Sequence, residues 1–285
     1  MEKIICDEIR RFVREDAGNR FPGREERYFD EPLIGFAAAD DPLFTEYKTV
    51  IGDFHFTPAE MAAQLAGEGD RHLRSQSPES GWTPRTVICY VLPITDATRA
   101  SNRPETMYPS RAWAQTRMHG ETFNGALRRH LVSFLAAAGH RAFAPQFHPC
   151  WKEYSDTPVG IASSWSERHA AYAAGLGTFS LNDALITPRG IGHRLGSVIT
   201  DLALRPSQKP YAHRTYNCLF HRNGTCGACI TRCPVGALSK EGHDKQICRQ
   251  HVYGTVPQAV GETYGVTATG CGLCQTRIPC ESRIP

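Results

Sequence analysis

Eight of the eleven cysteines lie in the last quarter of the chain, at spacings that suit metal ligation. Residues 218–238 read CLFHRNGTCGACITRCPVGAL and end in C-x2-C-x3-C-P. The bacterial ferredoxin motif is C-x2-C-x2-C-x3-C-P. Here seven residues, not two, separate Cys218 from Cys226. The run could therefore be a damaged ferredoxin motif, a zinc site, or half of a two-cluster module.

Four more cysteines support the two-cluster interpretation. Cys248 stands alone, and GCGLCQTRIPC near the C-terminus supplies three others. Two 4Fe-4S clusters need eight thiolates, and in two-cluster ferredoxins the cysteine before the proline ligates the other cluster. This rule divides the eight cysteines into two sets of four. The first cysteine set is Cys218, Cys226, Cys229 and Cys280. The second cysteine set is Cys233, Cys248, Cys271 and Cys274.

Zinc is the alternative, because pairs of C-x2-C also form four-thiolate zinc sites. The C-x3-C-P tail and the eight partners favour clusters over zinc. The remaining thiols, Cys6, Cys89 and Cys150, have no ligand spacing. We expect them to be small buried hydrophobic residues.

Composition indicates a globular chain without a membrane segment. Its 285 residues are 41% hydrophobic and 21% charged, and no apolar run approaches the roughly 18 residues that a bilayer requires. The pair Arg10-Arg11 is not followed by the apolar stretch of an export signal. We therefore expect a cytoplasmic protein, where structural disulfides are disfavoured. The formal charge of +3, with both signs interspersed, does not by itself argue for a polyanionic partner, and we expect no nucleic acid among the partners.

Three regions follow from the patterning. Residues 1–80 read as helices and polar loops, beginning with a helix whose apolar stripe contains Ile4, Ile5, Ile9 and Val13. Residues 81–207 alternate strands with helices, which predicts an α/β core. Residues 208–285 are rich in Cys, Gly, Arg and Pro, as expected of a small region stabilised by metal.

Within the predicted core, RTVICYVLP reads as a buried strand, and RAFAP, ALITP and HRLGSVITDLAL supply three more strands. A long helix carries an apolar face and stops at Gly139; this face comprises Leu127, Leu131, Phe134, Leu135 and Ala138. A second helix, SSWSERHAAYAAGLG, has Ser164 as its predicted N-cap and Glu167 as the capping-box partner.

Residues 85–285 resemble a family of reductases, the epoxyqueuosine reductases and the reductive dehalogenases. The resemblance is carried by SWSERHAAYAAGLGTFSLNDALITPRGIGHRLGSVITDLAL followed by the eight-cysteine pattern. It implies an α/β (α+β) nitroreductase-like cofactor-binding core with a C-terminal ferredoxin-like domain that holds two 4Fe-4S clusters. It further implies a cobalamin in the core, with FMN as the alternative, and single electrons passing from the clusters to that cofactor.

Residues around the implied cofactor are predicted from the same segment. Glycines allow close backbone approach, and hydroxyl groups can hydrogen-bond a large ring. The predicted cofactor-binding residues are Ser164, Glu167, Gly175, Gly177, Gly192 and Gly196.

A reductase also needs a proton donor. The Asp expected from epoxyqueuosine reductases aligns with Thr122, with Glu121 beside it, and the tyrosine of the dehalogenases suggests Tyr108 near Arg111. Glu121 and Tyr108 are thus the predicted catalytic residues. The expected partners are a ferredoxin or flavodoxin as electron donor and a small organic substrate. Rival hypotheses are an electron-transfer protein that docks a partner, and a flavin-dependent reductase.

Overall fold

The computed structural model describes residues 1–67, 82–267 and 269–285. The predicted boundary between residues 80 and 81 lies outside the described residues. The helices are α1 Glu2–Glu15, α2 Pro42–Ile51, α3 Pro58–Gly67, α4 Asp96–Asn102, α5 Arg111–Ala137, α6 Glu167–Ala173, α7 Leu219–Asn223, α8 Ala228–Arg232, α9 Lys245–Gln250 and α10 Val256–Tyr264. The strands are β1 Leu33–Ala38, β2 Thr86–Pro93, β3 Ala142–Phe143, β4 Glu153–Tyr154, β5 Ala162–Ser163, β6 Thr178–Phe179, β7 Leu185–Ile186, β8 His193–Thr200, β9 Leu238–Ser239 and β10 Gly242–His243.

A four-stranded sheet in the order β1-β2-β8-β3 forms the centre of the fold. Every neighbouring pair in it is antiparallel. The mixed α/β class predicted from the sequence is confirmed, and the antiparallel pairing places the fold on the α+β side of that prediction. β1 was missed, because LIGFAA is short and stands in a polar stretch that reads as helices and loops.

Strand β2 separates two hydrophobic cores. Its eight residues are all buried, as the apolar run RTVICYVLP predicts. Val87, Cys89 and Val91 pack into the core that includes α2 and α6, whereas alternate residues such as Tyr90 pack into the core that includes α1 and α5. The period of two along a strand produces this division. Cys89 is thus a buried core residue, as predicted.

The helices largely follow their predicted apolar stripes. Ile5, Ile9 and Val13 of α1 are buried, but the prediction for Ile4 is wrong, since its side chain is 54% exposed at the edge of the stripe. The long helix α5 ends beside Gly139, whose φ of +85° suits a residue without a Cβ.

The predicted apolar face of α5 is confirmed in the middle of the helix, but the prediction is wrong at the C-terminal end. Leu127, Leu131 and Leu135 are buried, Phe134 is partly buried, and Ala138 is exposed as the C-cap. Burial along this helix therefore ends one turn before its last residue.

The cysteine-rich region packs on the core through a third, smaller hydrophobic cluster. Leu181, Ile186 and Ile191 from the core side meet Cys218 and Ile278 there. Across the same contact, the amide of Ile191 donates to the carbonyl oxygen of Cys280 at 3.0 Å. The sequence leading into this region is tied to β1, since the amide of Phe36 donates to Ser207 Oγ at 2.9 Å. None of the described helices is long and apolar enough to cross a membrane.

Candidate metal centres and the adjoining charge network

The first cysteine set lines one small cavity. All four cysteines, Cys218, Cys226, Cys229 and Cys280, contribute to its wall. The rest of the wall is largely apolar and includes Leu181, Ile186, Ile191 and Ile278. Three of them lie on the segment around α7 and α8, and the fourth comes from the chain end. The structure thus brings Cys280 close to three cysteines that lie more than fifty positions earlier in the sequence.

The pKa values of two thiols in the first cysteine set also reflect how close its members lie to one another. Burial, and next the nearby Cys218 and Cys226, raise the pKa of the Cys229 thiol to about 11. Burial and the same neighbours raise the pKa of Cys280 to about 12. Ionisation of several buried thiols that lie close together is unfavourable, unless a bound metal group balances the negative charge of the thiolates.

The second cysteine set comes from three parts of the C-terminal region, which are the end of α8, the helix α9 and the segment around a 3-10 turn at Leu273–Gln275. Burial raises the pKa of Cys271 to about 12, and the neighbours that add to this effect are Cys248 and Cys233. Burial raises the pKa of Cys274 well above its usual range, with Cys271 as the first neighbour to add to it. Cys233 Sγ accepts a hydrogen bond from the amide of Ala237 at 3.2 Å.

The two sets are adjacent, because Cys229 of the first cysteine set also acts on the pKa of Cys274. Among the described residues, no three His, Cys, Asp or Glu side chains converge on a point that would suit one metal ion. A four-thiolate zinc site requires that convergence, with sulfur about 2.3 Å from the metal. The preference for clusters over zinc stays a prediction from the cysteine pattern.

The second cysteine set is fastened to the core by Trp113 and Gly272. Gly272 lies between Cys271 and Cys274, and its φ of +63° favours glycine. A Cβ at this position would lie 2.0 Å from the indole of Trp113 on α5. The long helix therefore packs directly against the loop that carries two ligand candidates.

Charged side chains of α5, α6 and β8 form a network of hydrogen bonds. Glu121 Oε1 accepts from Arg128 Nη1 at 3.0 Å, and Oε2 accepts from Arg194 Nε at 2.8 Å. Arg128 also faces Glu167 Oε1 at 3.4 Å and is 2% exposed. Burial alone would raise the pKa of Glu121, but Arg194 and Arg128 outweigh it and hold that pKa at about 2.

This pairing bears on the prediction of Glu121 as a proton donor. A donor must carry its proton near neutral pH. Two guanidinium groups keep Glu121 ionised. These contacts place Glu121 in a network of charged side chains and argue against a role as an acid.

Tyr108 also lies in a different setting from the one predicted. Its ring stacks on His251 at 6.4 Å between centroids and 12° between planes. Within the described residues, no hydrogen bond joins Tyr108 to Arg111, the first residue of α5. The proposed cationic partner of this phenol is thus absent from its contacts.

A different Tyr–Arg pair lies between α5 and the cysteine-rich region. Arg117 Nη2 on α5 donates to Tyr253 Oη at 3.1 Å. Tyr253 lies in a π-helical turn, His251–Thr255, which follows the α9 helix that carries Cys248. Turns of this kind are frequent at functional sites. The sequence pattern does not reveal the pair, because 136 residues separate its members.

Ser164 is not the helix cap that the sequence predicts. The N-cap of α6 is Ser166, which accepts from the amide of His169. Ser164 is buried, and its Oγ accepts from the amide of Lys152 at 2.9 Å. Its hydroxyl therefore supports a loop of the core.

Glu167 begins α6 but points into the core. Its carboxylate lies against Arg128. Burial raises the pKa of Glu167, and the Arg128 charge only partly offsets that effect. The structure shows its contact to be with the protein itself.

Two of the predicted cofactor glycines face the chain's own backbone. A Cβ on Gly175 would lie 2.3 Å from the carbonyl oxygen of Gln208, and one on Gly177 would lie 2.4 Å from that of Ile186. Gly175 also has a φ of +76°, as expected after the end of a helix. Both glycines are explained by close packing within the chain.

The other two glycines face side chains. A Cβ on Gly196 would lie 2.3 Å from the Tyr90 phenol, which is opposite it in the sheet. Gly192 has the Trp113 ring 3.6 Å from its would-be Cβ. The sequence identified positions of close approach correctly, but the approaching groups belong to the protein.

The comparisons with known proteins give one consistent answer. A curated protein of Staphylococcus aureus (strain NCTC 8325 / PS 47) is 26% identical over 252 residues, which cover 86% of this chain and 60% of that protein. A curated protein of Bacillus anthracis is 31% identical over 119 residues, which cover 40% of this chain and 29% of that protein. Both relatives are epoxyqueuosine reductases. No protein-family model matches the chain.

Solved structures with similar folds belong to the same group. An epoxyqueuosine reductase with a tRNA-Tyr epoxyqueuosine-modified stem loop has a TM-score of 0.51 and 20% identity, over 98% of this chain and 65% of that one. The epoxyqueuosine reductase of Streptococcus thermophilus has a TM-score of 0.50 and 16% identity, over 98% of this chain and 67% of that one. The chain spans about 60% of the length of the S. aureus relative.

These findings support the epoxyqueuosine reductase part of the predicted resemblance and give no support to the dehalogenase part. They also correct one prediction. The expectation that nucleic acid is not a partner is wrong, because a solved protein of this fold is an epoxyqueuosine reductase with a tRNA stem loop. A formal charge of +3 does not decide the question, since a short stem loop contacts a local surface and not the average charge of the chain.

Proposed function

We propose that this chain is an iron–sulfur reductase of the epoxyqueuosine reductase type, which reduces the epoxide of a modified nucleoside in a tRNA stem loop. The observation that carries the proposal is the assembly of two complete and adjacent four-cysteine sets. The similarity to the S. aureus enzyme over 86% of the chain supports the choice of reaction.

Two 4Fe-4S clusters fit the donor sets. Each set offers four thiolates, and the cysteine before Pro234 joins the second cysteine set, as in two-cluster ferredoxins. Such clusters, when bound, supply single electrons at low potential. Conversion of an epoxide into an alkene consumes two electrons and two protons and releases one water molecule. The electrons would come from a reduced ferredoxin or flavodoxin, as the sequence analysis expects.

Tyr253 is the residue best placed to supply a proton. Its side chain is 53% exposed, so an oxygen atom of a bulky substrate can reach the phenol. Arg117 Nη2 donates a hydrogen bond to the same oxygen at 3.1 Å and would hold the phenol in position. Arg249 lies over the ring at 5.8 Å and is itself paired with Glu153.

The corrinoid implied by the resemblance finds no support in the chain's own residues. Three of the four glycines that were predicted to admit it lie against the protein itself, for example against Gln208 at Gly175 and against Tyr90 at Gly196. The flavin alternative rests on the core fold that the resemblance implies. Both cofactors stay predictions, and no step of the proposed reaction is assigned to either.

The test is a single assay on anaerobically purified protein with a reductant and an epoxyqueuosine-containing stem loop. Mass spectrometry of the released nucleosides should show loss of one oxygen atom from the modified base. Parallel reactions with and without hydroxocobalamin test the corrinoid. Oxidation of the reductant without any change in the nucleoside, in both reactions, would favour the electron-transfer protein instead.

A further inference from the structure

Residues 202–240 carry one sign of charge. The segment contains six Lys and Arg residues and no Asp or Glu. The rest of the chain has 26 Lys and Arg residues against 29 Asp and Glu, so it is acidic on balance. The small net charge of the whole chain therefore hides a basic segment. This segment also supplies three of the four members of the first cysteine set.

The insertion between Cys218 and Cys226 has seven residues, where the ferredoxin motif has two. Five of the seven form the helix α7. Leu219 and Phe220, at its start, line the cavity of the first cysteine set. Arg222, one turn further on, is exposed. The insertion thus covers the ligand candidates with apolar side chains and presents a basic side chain to solvent.

The turn before α7 adds a second exposed cation. The amide of Cys218 donates to the carbonyl oxygen of Thr215 at 3.0 Å, so this turn folds directly against the start of the helix. Arg214 is exposed in the turn, and Tyr216 beside it is 39% exposed. Burial, and next the charge of Arg214, lower the pKa of His221 on α7. That effect agrees with Arg214 and α7 lying side by side.

No carboxylate neutralises these two arginines. Within the described ranges, neither Arg214 nor Arg222 forms an ion pair. Glu281, the acidic residue that follows Cys280, is already paired, because its Oε1 accepts from Arg103 Nε at 2.9 Å. Uncompensated charges of this kind create a positive potential that attracts acidic partners.

The place of the first cysteine set in the reaction indicates which partner should bind here. Tyr253, the proposed proton donor, lies five residues after Cys248 of the second cysteine set. The nucleoside to be reduced therefore belongs near the second set, which leaves the first set for the protein that delivers electrons. Complementary charge speeds the encounter of such proteins, and their complexes are small and short-lived.

We propose that the exposed side of α7, together with Arg214 and Arg222, is the docking surface for an acidic single-electron carrier, the ferredoxin or flavodoxin expected from the sequence. In each encounter the carrier is oxidised by one electron and the first cluster is reduced by one electron. Two encounters supply the two electrons that one epoxide consumes. The inference rests on the two clusters of the proposed function.

The experiment measures, by stopped-flow absorbance, the second-order rate constant for reduction of the clusters by a reduced acidic flavodoxin. Arg214→Glu and Arg222→Glu, combined in one chain, should lower this constant at low salt by about 10–100-fold. The difference from wild type should shrink at high salt, because mobile ions screen exposed charges. Photoreduced deazariboflavin, a small uncharged reductant, should reduce wild type and variant equally fast, since it needs no docking surface.

Arg24→Glu is the matched control for the single variant Arg222→Glu. Arg24 is also exposed and, in the part of the chain that the structure describes, also lacks an ion pair. The control should keep the wild-type rate constant. Arg222→Gln removes the charge without reversing it and should show a smaller loss in the same direction, so it decides the question in case Arg222→Glu loses iron.

Iron content is measured first on every variant, which separates the two proposals. Wild-type protein without clusters would overturn the proposed function. Equal rate constants for cluster-loaded Arg222→Glu and Arg24→Glu would overturn this inference alone. A loss of stem-loop affinity in Arg222→Glu, with an unchanged rate of reduction by flavodoxin, would assign the surface to RNA and overturn it as well. Reduction that depends on Arg222, without any change in the nucleoside, would keep the docking surface and overturn the proposed function.

Discussion

Arg117 on the long helix α5 and Tyr253 in the turn after α9 are joined by a hydrogen bond of 3.1 Å. The bond links α5 to the segment that follows Cys248, and it gives the phenol of Tyr253 a cationic neighbour. We propose for Tyr253 the role of proton donor that the sequence suggested for Tyr108.

Replacement of this phenol should separate chemistry from binding. Tyr253→Phe should lower the rate of nucleoside reduction by about 10²–10⁴-fold, the usual contribution of a positioned acid, and should leave stem-loop affinity and iron content unchanged. Tyr108→Phe is the control, since that ring stacks on His251 and should keep near wild-type turnover. Equal activity of the Tyr253→Phe enzyme would remove Tyr253 from the mechanism.

Arg128 should matter for stability. It is 2% exposed and lies between two carboxylates. Arg128→Met would leave Glu121 and Glu167 without their shared cation, which costs about 3–5 kcal/mol for a buried pair. Urea denaturation measures this loss. Arg129→Met, at the exposed neighbour whose guanidinium lies over Phe147, should change the free energy of unfolding by at most about 0.5 kcal/mol.

Gly272 should be intolerant of any side chain. Gly272→Ala would place a methyl group inside the Trp113 ring and should reduce iron content toward a single cluster. Gly236→Ala provides the comparison, since it has a similar φ of +66° but nothing within 4 Å of its would-be Cβ. That variant should lose only about 1–2 kcal/mol from backbone strain and keep both clusters. Equal iron loss in both variants would show that backbone strain, and not the Trp113 contact, is responsible.

Stability should fall under mildly acidic conditions because of His55. The side chain is 1% exposed, and burial, with a smaller effect of Lys48, lowers its pKa from 6.5 to about 4. The unfolded chain therefore binds more protons than the folded chain below pH 6.5, and stability decreases as the pH falls from 6.5 toward 4. Between pH 7 and 5.5 this histidine should remove roughly 1 kcal/mol.

Denaturation curves at the two pH values test this effect. His55→Phe keeps an aromatic ring stacked near Trp165 and should reduce the pH dependence of the unfolding free energy. An undiminished dependence in that variant would assign it to other groups.

Local patterns predicted much of this structure. The buried strand β2, the centre of the α5 face and the end of that helix at Gly139 follow from apolar periodicity and from glycine conformation. The division of the cysteines followed from the ferredoxin rule, and the structure places the same residues near one another. These features follow from the order and spacing of residue types along the chain, which can be read from the sequence alone.

Long-range partners could not be predicted. A glycine signals close approach, but the sequence does not say that the approaching group at Gly196 is Tyr90. Likewise, a shift of two residues moved the α6 cap from Ser164 to Ser166, because both serines fit the local pattern. The Arg117–Tyr253 pair joins distant segments, so only the folded arrangement shows it.

Iron and acid-labile sulfide content of the anaerobically purified wild-type chain is the most direct test of the two-cluster account. The two cysteine sets predict about eight iron atoms and about eight sulfides per chain, because each 4Fe-4S cluster takes four thiolates. About four of each, or zinc in place of iron, would contradict it.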